Sequence, residues 1–301
     1  MNAHSIMDNA LILINKPVDV RSTACVAKAK KLLDGLKVGH CGTLDSTASG
    51  LLILVTGNAT RLSDYVMLLP KVYRAVIQFG AETDTCDYSG EIIYRADKDF
   101  AELDVNKLID SLYSFSGLRL QSPPPVSAIK INGKPAYKLA RSGQDLEMKA
   151  RPVYFKQVKI ISPYDKLTGT LELEIHCGKG TYIRSLAQDL GKITGFGAYI
   201  KSLERSAIGN FELNNANDID SEYKFVNLSE LAKNFTRIYV SDKNSKSFIN
   251  GMSILLRSAL NVSRGVSVIN NIICVEGDEF LGFGTYAGYE YIRPLAIVKK
   301  C

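Results

Sequence analysis

Lys71-Val72-Tyr73-Arg74-Ala75-Val76-Ile77-Gln78-Phe79 places Tyr73, Ala75, Ile77 and Phe79 in alternation with Arg74, Val76 and Gln78. A period of two predicts a strand with one face buried. Leu171, Leu173 and Ile175 alternate in the same way with Glu172, Glu174 and His176. Around these two segments, strand and helix patterns are interspersed without regular βαβ spacing. The expected fold class is therefore α+β with a mixed, mostly antiparallel sheet rather than a doubly wound one.

Working outward, Leu11-Ile12-Leu13-Ile14 is an apolar run closed by Asn15-Lys16-Pro17, which reads as a buried strand entering a turn. From Ser22 to Leu33, Cys25, Val26, Ala29, Leu32 and Leu33 repeat at helical spacing, with Ser22 or Thr23 available as the cap and Gly35 beyond the end. A strand from Leu51 to Val55 follows the polar loop Gly39 to Gly50, and a helix from Thr60 to Leu68 follows in turn. Helical periodicity returns between Leu103 and Phe115 behind the capping residue Asp104. After the strand ending near His176, Gly178-Lys179-Gly180 breaks the pattern, and a helix from about Tyr182 to Thr194 runs to Gly195 and Gly197.

The chain has 301 residues, more than one compact core usually holds, so a large domain with a smaller second one is expected. Near Asn227 to Thr236 the sequence turns polar. Beyond it come short β-type runs, Ile269 to Val275, Phe280 to Phe283 and Ala296 to Val298, separated by Gly277, Gly282, Gly284 and Gly288. The economical division is a domain over residues 1–235 and a small all-β domain over 236–301.

The formal charge of +6 suits a polyanionic partner but is shared with many unrelated soluble proteins. Pro123 to Lys159 concentrates it: Lys130, Lys134, Lys138, Arg141, Lys149, Arg151, Lys156 and Lys159 stand against Asp145 and Glu147, interleaved with Tyr137, Tyr154 and Phe155. Such a segment serves a solvated surface and an RNA face equally well. Cys25, Cys41, Cys86, Cys177, Cys274 and Cys301 form no CxxC pair and adjoin no histidine cluster, so neither zinc nor a disulfide framework is suggested, and a reducing cytoplasm is expected. Neither a signal-peptide pattern nor an apolar run near the ~20 residues that span a bilayer is present, so a soluble, unexported protein is expected.

The loop Gly39-His40-Cys41-Gly42-Thr43-Leu44-Asp45-Ser46-Thr47-Ala48-Ser49-Gly50 sets polar and charged side chains between glycines and leads directly into an apolar strand. It can present His40 and Asp45 to a ligand, and by itself it equally suits a turn in which Asp45 or Ser46 caps nearby N–H groups. Glu82, Asp84 and Asp87 before Gly90 miss the spacing of a calcium loop and read better as turn-forming carboxylates. Tyr73, at a strand start, suits a ring packed on the core with its hydroxyl toward water. Arg184 lies one turn into a helix, where a guanidinium can reach a carboxylate or sit in a weak surface ion pair.

Taken in order, these segments resemble the TruB family of tRNA pseudouridine synthases over most of the first 210 or so residues. Gly39-His40-Cys41-Gly42-Thr43-Leu44-Asp45 is similar to the family's catalytic GHxGTLD loop, Lys71-Val72-Tyr73-Arg74 to its K-x-Y-R strand, and Thr83 to Gly90 to its TDTxDxxG element. Pro123 to Lys130, with Gly133, Tyr137, Ala140 and Arg141, resembles PPxxSAxK; Lys179 to Leu186 resembles KGTYIRxL; Leu203-Glu204-Arg205 with Gly209 and Phe211 resembles LRRxxxGxF. Asp19 and Arg21 stand where the family carries glycine and Ser or Thr, and Glu204 replaces the first arginine after Leu203.

The resemblance implies a pseudouridine-synthase catalytic domain followed by a PUA-like RNA-binding domain, with an RNA-binding insert at about 123–159. It implies a cofactor-free, metal-free isomerisation of uridine 55 in the TΨC arm of tRNA. Asp45 would be the catalytic carboxylate, held charged by Arg184, with the target base flipped out and stacked on Tyr73. His40 would fill the gap left by the base, Tyr182 and Leu203 would wall the pocket, and Lys16, Thr43 and Lys130 would complete the substrate contacts. A monomer acting on tRNA without an obligate protein partner is the expectation. Two other classes are weighed against it: a noncatalytic RNA-binding protein, and a carboxylate hydrolase needing a second acid or a metal.

Overall fold

The structure, a computed structural model, describes residues 9–124, 126, 130–131, 134–135, 148–265, 271–288 and 290–298. Its strands, in chain order, begin with β1 (Leu11–Lys16), β2 (Val38–His40), β3 (Ser49–Thr56), β4 (Lys71–Phe79), β5 (Ala81–Thr83), β6 (Ile92–Arg95) and β7 (Gly117–Gln121). There follow β8 (Lys130–Ile131), β9 (Lys134–Pro135), β10 (Arg151–Asp165), β11 (Thr170–Cys177), β12 (Ala198–Ile208), β13 (Phe211–Glu212), β14 (Asn217–Asp218) and β15 (Phe225–Val226). The last six are β16 (Thr236–Tyr239), β17 (Ile254–Leu255), β18 (Asn261–Ser263), β19 (Ile273–Glu276), β20 (Phe280–Ala287) and β21 (Tyr291–Ile297). The chain divides into two compact units, Met1–Pro70 with Ser206–Cys301, and Lys71–Arg205.

In the first unit β1 pairs antiparallel with β3 and β15 and parallel with β14, and β2 extends the sheet beside β3. The continuous apolar run of β1 has a simple cause: both of its faces are covered. Leu11 and Leu13 join Leu51, Ile53, Val55, Leu62, Val66 and Leu69 on one side. Ile12 and Ile14 join Leu52, Leu54, Cys25 and Ala29 on the other, under the helix Ser22–Leu32. The helix expected from Thr60 instead begins as a 3-10 turn, Gly57–Leu62, and becomes α-helical only at Ser63–Leu68. The Thr60 hydroxyl donates to the Gly57 carbonyl at 2.8 Å and that of Ser63 to the Thr60 carbonyl at 2.8 Å, side-chain bonds that favour the tighter winding.

The C-terminal strands form a separate six-stranded sheet in the order β17-β21-β20-β19-β16-β18, antiparallel except for β16 with β19. Ile238, Val240, Ile254, Ile273, Val275 and Ile292 form its core with Phe248 from the helix Asp242–Ile249. Ile269 and Asn270 of the expected first run lie outside the described residues, and the strand is seen from Ile273. The polar stretch after Asn227 carries a short helix, Leu228–Ala232, because the Asn227 side chain accepts the Ser229 N–H at 2.9 Å while Leu228, Leu231 and Ala232 are buried. Phe283 of β20 reaches the core of the N-terminal sheet: it stacks on Tyr65 with ring centroids 4.6 Å apart and meets Phe235 at 4.6 Å.

In the second unit β4, β11, β10 and β7 are antiparallel neighbours in that order, with β12 on the other side of β4. Along β4, residues 71, 73, 75, 77 and 79 are buried and those between are not, which is the alternation read from the sequence. The helices Val105–Ser114 and Ile183–Thr194 contact one another, and the second also contacts β4. Asp104 caps the first, accepting the Lys107 N–H at 3.0 Å. Fold class and the small β-rich C-terminal region are as expected. No helix among the described residues is long and apolar enough to cross a membrane.

Phe283 is fully buried among three aromatic rings, so Phe283→Ala is expected to cost about 3–5 kcal/mol in urea unfolding. Phe283→Leu, which keeps most of the volume, is expected to cost under about 1.5 kcal/mol.

Candidate active site

In the first unit the acidic loop grows out of a strand. His40 pairs with Leu54 at the end of β2, and the Cys41 N–H continues the ladder to the Ile53 carbonyl at 2.8 Å. Gly42 then turns the chain with φ +97, a conformation side-chain-bearing residues rarely adopt. Cys41, Leu44 and Ala48 are buried and seat the loop on the core, while Thr43 is exposed and His40 and Asp45 are half-buried. The Ala48 N–H closes the turn on the Asp45 carbonyl at 3.2 Å.

Side chains from the β1 turn hold this loop. Lys16 is fully buried, and its ammonium donates to the carbonyls of Pro17 at 2.8 Å, Val20 at 2.7 Å and Ser46 at 3.4 Å. Expected among the substrate contacts, it bonds here to the backbone on either side of the turn. Ser22 is not the helix cap. Arg21, with extended φ and ψ, takes that position without a side-chain cap bond. Ser22 therefore becomes the first helical residue, 2% exposed, and its hydroxyl donates to the Leu44 carbonyl at 2.9 Å and accepts the Leu44 N–H at 3.0 Å. Asp19 lies at φ +63, and its N–H donates to the Ser46 carbonyl at 2.8 Å. That backbone conformation suits glycine best, and aspartate is among the few other residues that tolerate it.

In the second unit Tyr73 lies on β4 opposite Ile175 and is 9% exposed. Leu203, also buried, lies on β12. Arg184 is the second residue of its helix and is buried rather than at the surface; its guanidinium donates to the carbonyls of Thr85 and Val126, each at 3.0 Å. Tyr182 is held by its backbone: its N–H donates to the Gln121 side-chain oxygen at 2.9 Å, and the Gln121 amide donates back to the Tyr182 carbonyl at 3.0 Å.

The turn that Arg184 grips is built by its own polar groups. Asp87 is buried and accepts the Thr85 hydroxyl at 2.9 Å, the Ser89 N–H at 3.0 Å and the Ser89 hydroxyl at 2.6 Å; Asp84 accepts the Glu91 N–H at 2.9 Å. A Cβ on Gly90 would collide with the Asp84 and Thr85 side chains, so only glycine fits there. These carboxylates serve the turn, and among the described residues no three His, Cys, Asp or Glu gather as a metal site. Burial pushes the Cys86 thiol up to about 11 even with the Arg184 charge pulling the other way.

Lys130 lies in the short β8–β9 ladder opposite Pro135, and its side chain is outside what is described. Of the basic segment, residues 125, 127–129, 132–133 and 136–147 lie outside the described residues as well. Sequence reasoning missed Ser22 and Gln121, because a serine at a helix start reads as a cap and a glutamine at a strand end carries no signal of its own.

Replacing Asp19 tests the strain argument. Asp19→Gly is expected to leave unfolding free energy within about 1 kcal/mol of the parent, whereas Asp19→Val is expected to lose ~1–3 kcal/mol in the same urea titration.

Residues 30–183 match a model of the TruB family pseudouridylate synthase N-terminal domain. The tRNA pseudouridine synthase B of Bordetella avium is 41% identical over 214 residues, covering 71% of this chain and 86% of that one. That of Aquifex aeolicus is 42% identical over 212 residues, covering 70% and 71%. A chain of a solved Cbf5-Nop10-Gar1 complex shares the fold with a TM-score of 0.73 at 19% identity, covering 98% of this chain and 85% of that one. With half the chain under the family model and relatives at this identity, the chain belongs to the TruB family of pseudouridylate synthases.

Proposed function

We propose that this pseudouridine synthase acts on tRNA, isomerising uridine 55 of the TΨC loop with the carboxylate of Asp45. The observation that carries this reading is the GHCGTLD loop itself. In it Asp45 is only half-buried, while its apolar neighbours Cys41, Leu44 and Ala48 are locked into the core. The names borne by the relatives support tRNA as the substrate.

The reaction breaks the C1′–N1 bond, turns the uracil and joins C5 to C1′, after which the C5 proton leaves to solvent and N1, no longer bonded to the sugar, takes up a proton from solvent in its place. Atoms and electrons balance within the nucleotide, so no nucleotide cofactor or oxidant is needed. Asp45 acts as an ionised carboxylate, either bonding C1′ or taking a ribose proton. Arg184 and Tyr73 complete the catalytic set, Arg184 as the cation and Tyr73 as stacking platform and acceptor of the C5 proton. Flipping the base costs a few kcal/mol, which stacking and polar contacts offset. His40 and Thr43 meet the RNA from the loop, Tyr182 and Leu203 bound the base, and Lys16 serves the substrate through the loop it holds.

In this reading residues 1–235 are the catalytic domain, with Lys130 and the insert at about 123–159 holding phosphates, and 236–301 a PUA-like RNA-binding domain. The enzyme works in the cytoplasm as a monomer, without an obligate protein partner.

Tritium release from [5-³H]uridine-labelled tRNA transcript, in EDTA and without nucleotides, tests the proposal. The parent protein is expected to release label from a transcript carrying U55 and none from one carrying cytidine there. Asp45→Asn is expected to be slower by at least roughly a hundredfold. Equal release by both proteins would remove Asp45 from the chemistry, and equal release from both transcripts would place the reaction at another uridine.

A further inference from the structure

The peptide joining Leu44 to Asp45 is planar, so whatever holds the Leu44 carbonyl also orients the amide from which Asp45 begins. Ser22 holds that carbonyl at 2.9 Å and, with the same oxygen, the Leu44 N–H at 3.0 Å. One hydroxyl thus fixes the peptide planes on both sides of Leu44, a residue that is itself 4% exposed. On the far side of Asp45, the Ser46 carbonyl accepts the Asp19 N–H at 2.8 Å and the Lys16 ammonium at 3.4 Å. The acidic residue is the one member of Leu44-Asp45-Ser46 whose backbone is flanked by these clamps on both sides.

A serine at the first position of a helix usually spends its hydroxyl on its own helix or on water. At 2% exposed Ser22 has little access to water, and it bonds to a residue 22 positions away in the chain. We infer that Ser22 is a positioning residue for the reaction, setting the direction of the Asp45 carboxylate through the Leu44 backbone, an assignment that rests on Asp45 being the catalytic carboxylate. Small misplacements of a reacting group cost orders of magnitude in rate while leaving binding by the rest of the substrate intact.

The test separates chemistry from binding. Single-turnover rate constants and tRNA dissociation constants are measured for the parent, Ser22→Ala, Ser22→Thr and Asp45→Asn, with a melting curve for each. Ser22→Ala is expected to slow the single-turnover step roughly ten- to a hundredfold with tRNA affinity unchanged. Ser22→Thr, which keeps both donor and acceptor, is expected to restore most of the rate. If Ser22→Ala does not fold, Ser22→Cys, close in size but a weak hydrogen-bonding partner, carries the same expectation. A parental rate constant in the variant lacking the hydroxyl, with Asp45→Asn inactive, overturns the positioning role alone. Rate and affinity falling together without rescue by threonine also overturn it. Full activity of Asp45→Asn overturns the reading beneath it.

Discussion

A lysine ammonium withdrawn from water costs several kcal/mol unless hydrogen bonds replace its hydration. At the end of β1, Lys16 has the carbonyls of Pro17, Val20 and Ser46 around its fully buried side chain. Those carbonyls belong to the turn after β1 and to the acidic loop, so satisfying one buried cation brings two irregular segments into register. The consequences spread from there. The turn must pass through a left-handed residue at Asp19, whose N–H then also reaches Ser46, and the helix that follows begins with Ser22 against Leu44. These bonds tie the loop to the turn after β1 and to the start of the helix.

The second unit uses the same device with different residues. Arg184 is buried at the start of its helix and donates to carbonyls from two other segments, the turn at Thr85 and the chain at Val126. Gln121 holds both backbone groups of Tyr182, just before that helix starts without a side-chain cap. In both units, residues that the family motifs mark as functional are held by backbone contacts to buried polar side chains. A buried donor or acceptor left unmade costs about 1–3 kcal/mol, which gives each such contact leverage over local geometry.

Much of this fold was legible in the chain, for identifiable reasons. The alternation in Lys71–Phe79 follows from one covered face, and the unbroken run Leu11–Ile14 from two. Glycine-marked breaks around Gly178 to Gly180 and at Gly195 bounded a helix that the structure places at Ile183–Thr194. Reading failed where a local cue was overridden by a tertiary one. Ser22 has every property of a cap yet bonds to a loop 22 residues away, and the polar stretch at Asn227 hides three buried side chains at Leu228, Leu231 and Ala232. The motifs named the acidic loop and the helix arginine, because those residue types recur in fixed order. They did not reveal what holds either in place, because the partners, Ser22, Gln121 and backbone carbonyls, carry no pattern.

The acidic loop is built before RNA arrives, and backbone-resolved hydrogen–deuterium exchange of the Leu44 amide in the RNA-free protein reads this out. Because that N–H is buried and bonded to the Ser22 hydroxyl at 3.0 Å, it is expected to exchange as slowly as amides inside β3. Exchange at the rate of an unstructured peptide, with protection arising only once tRNA is added, would make the loop a product of binding and not a preformed part of the unit.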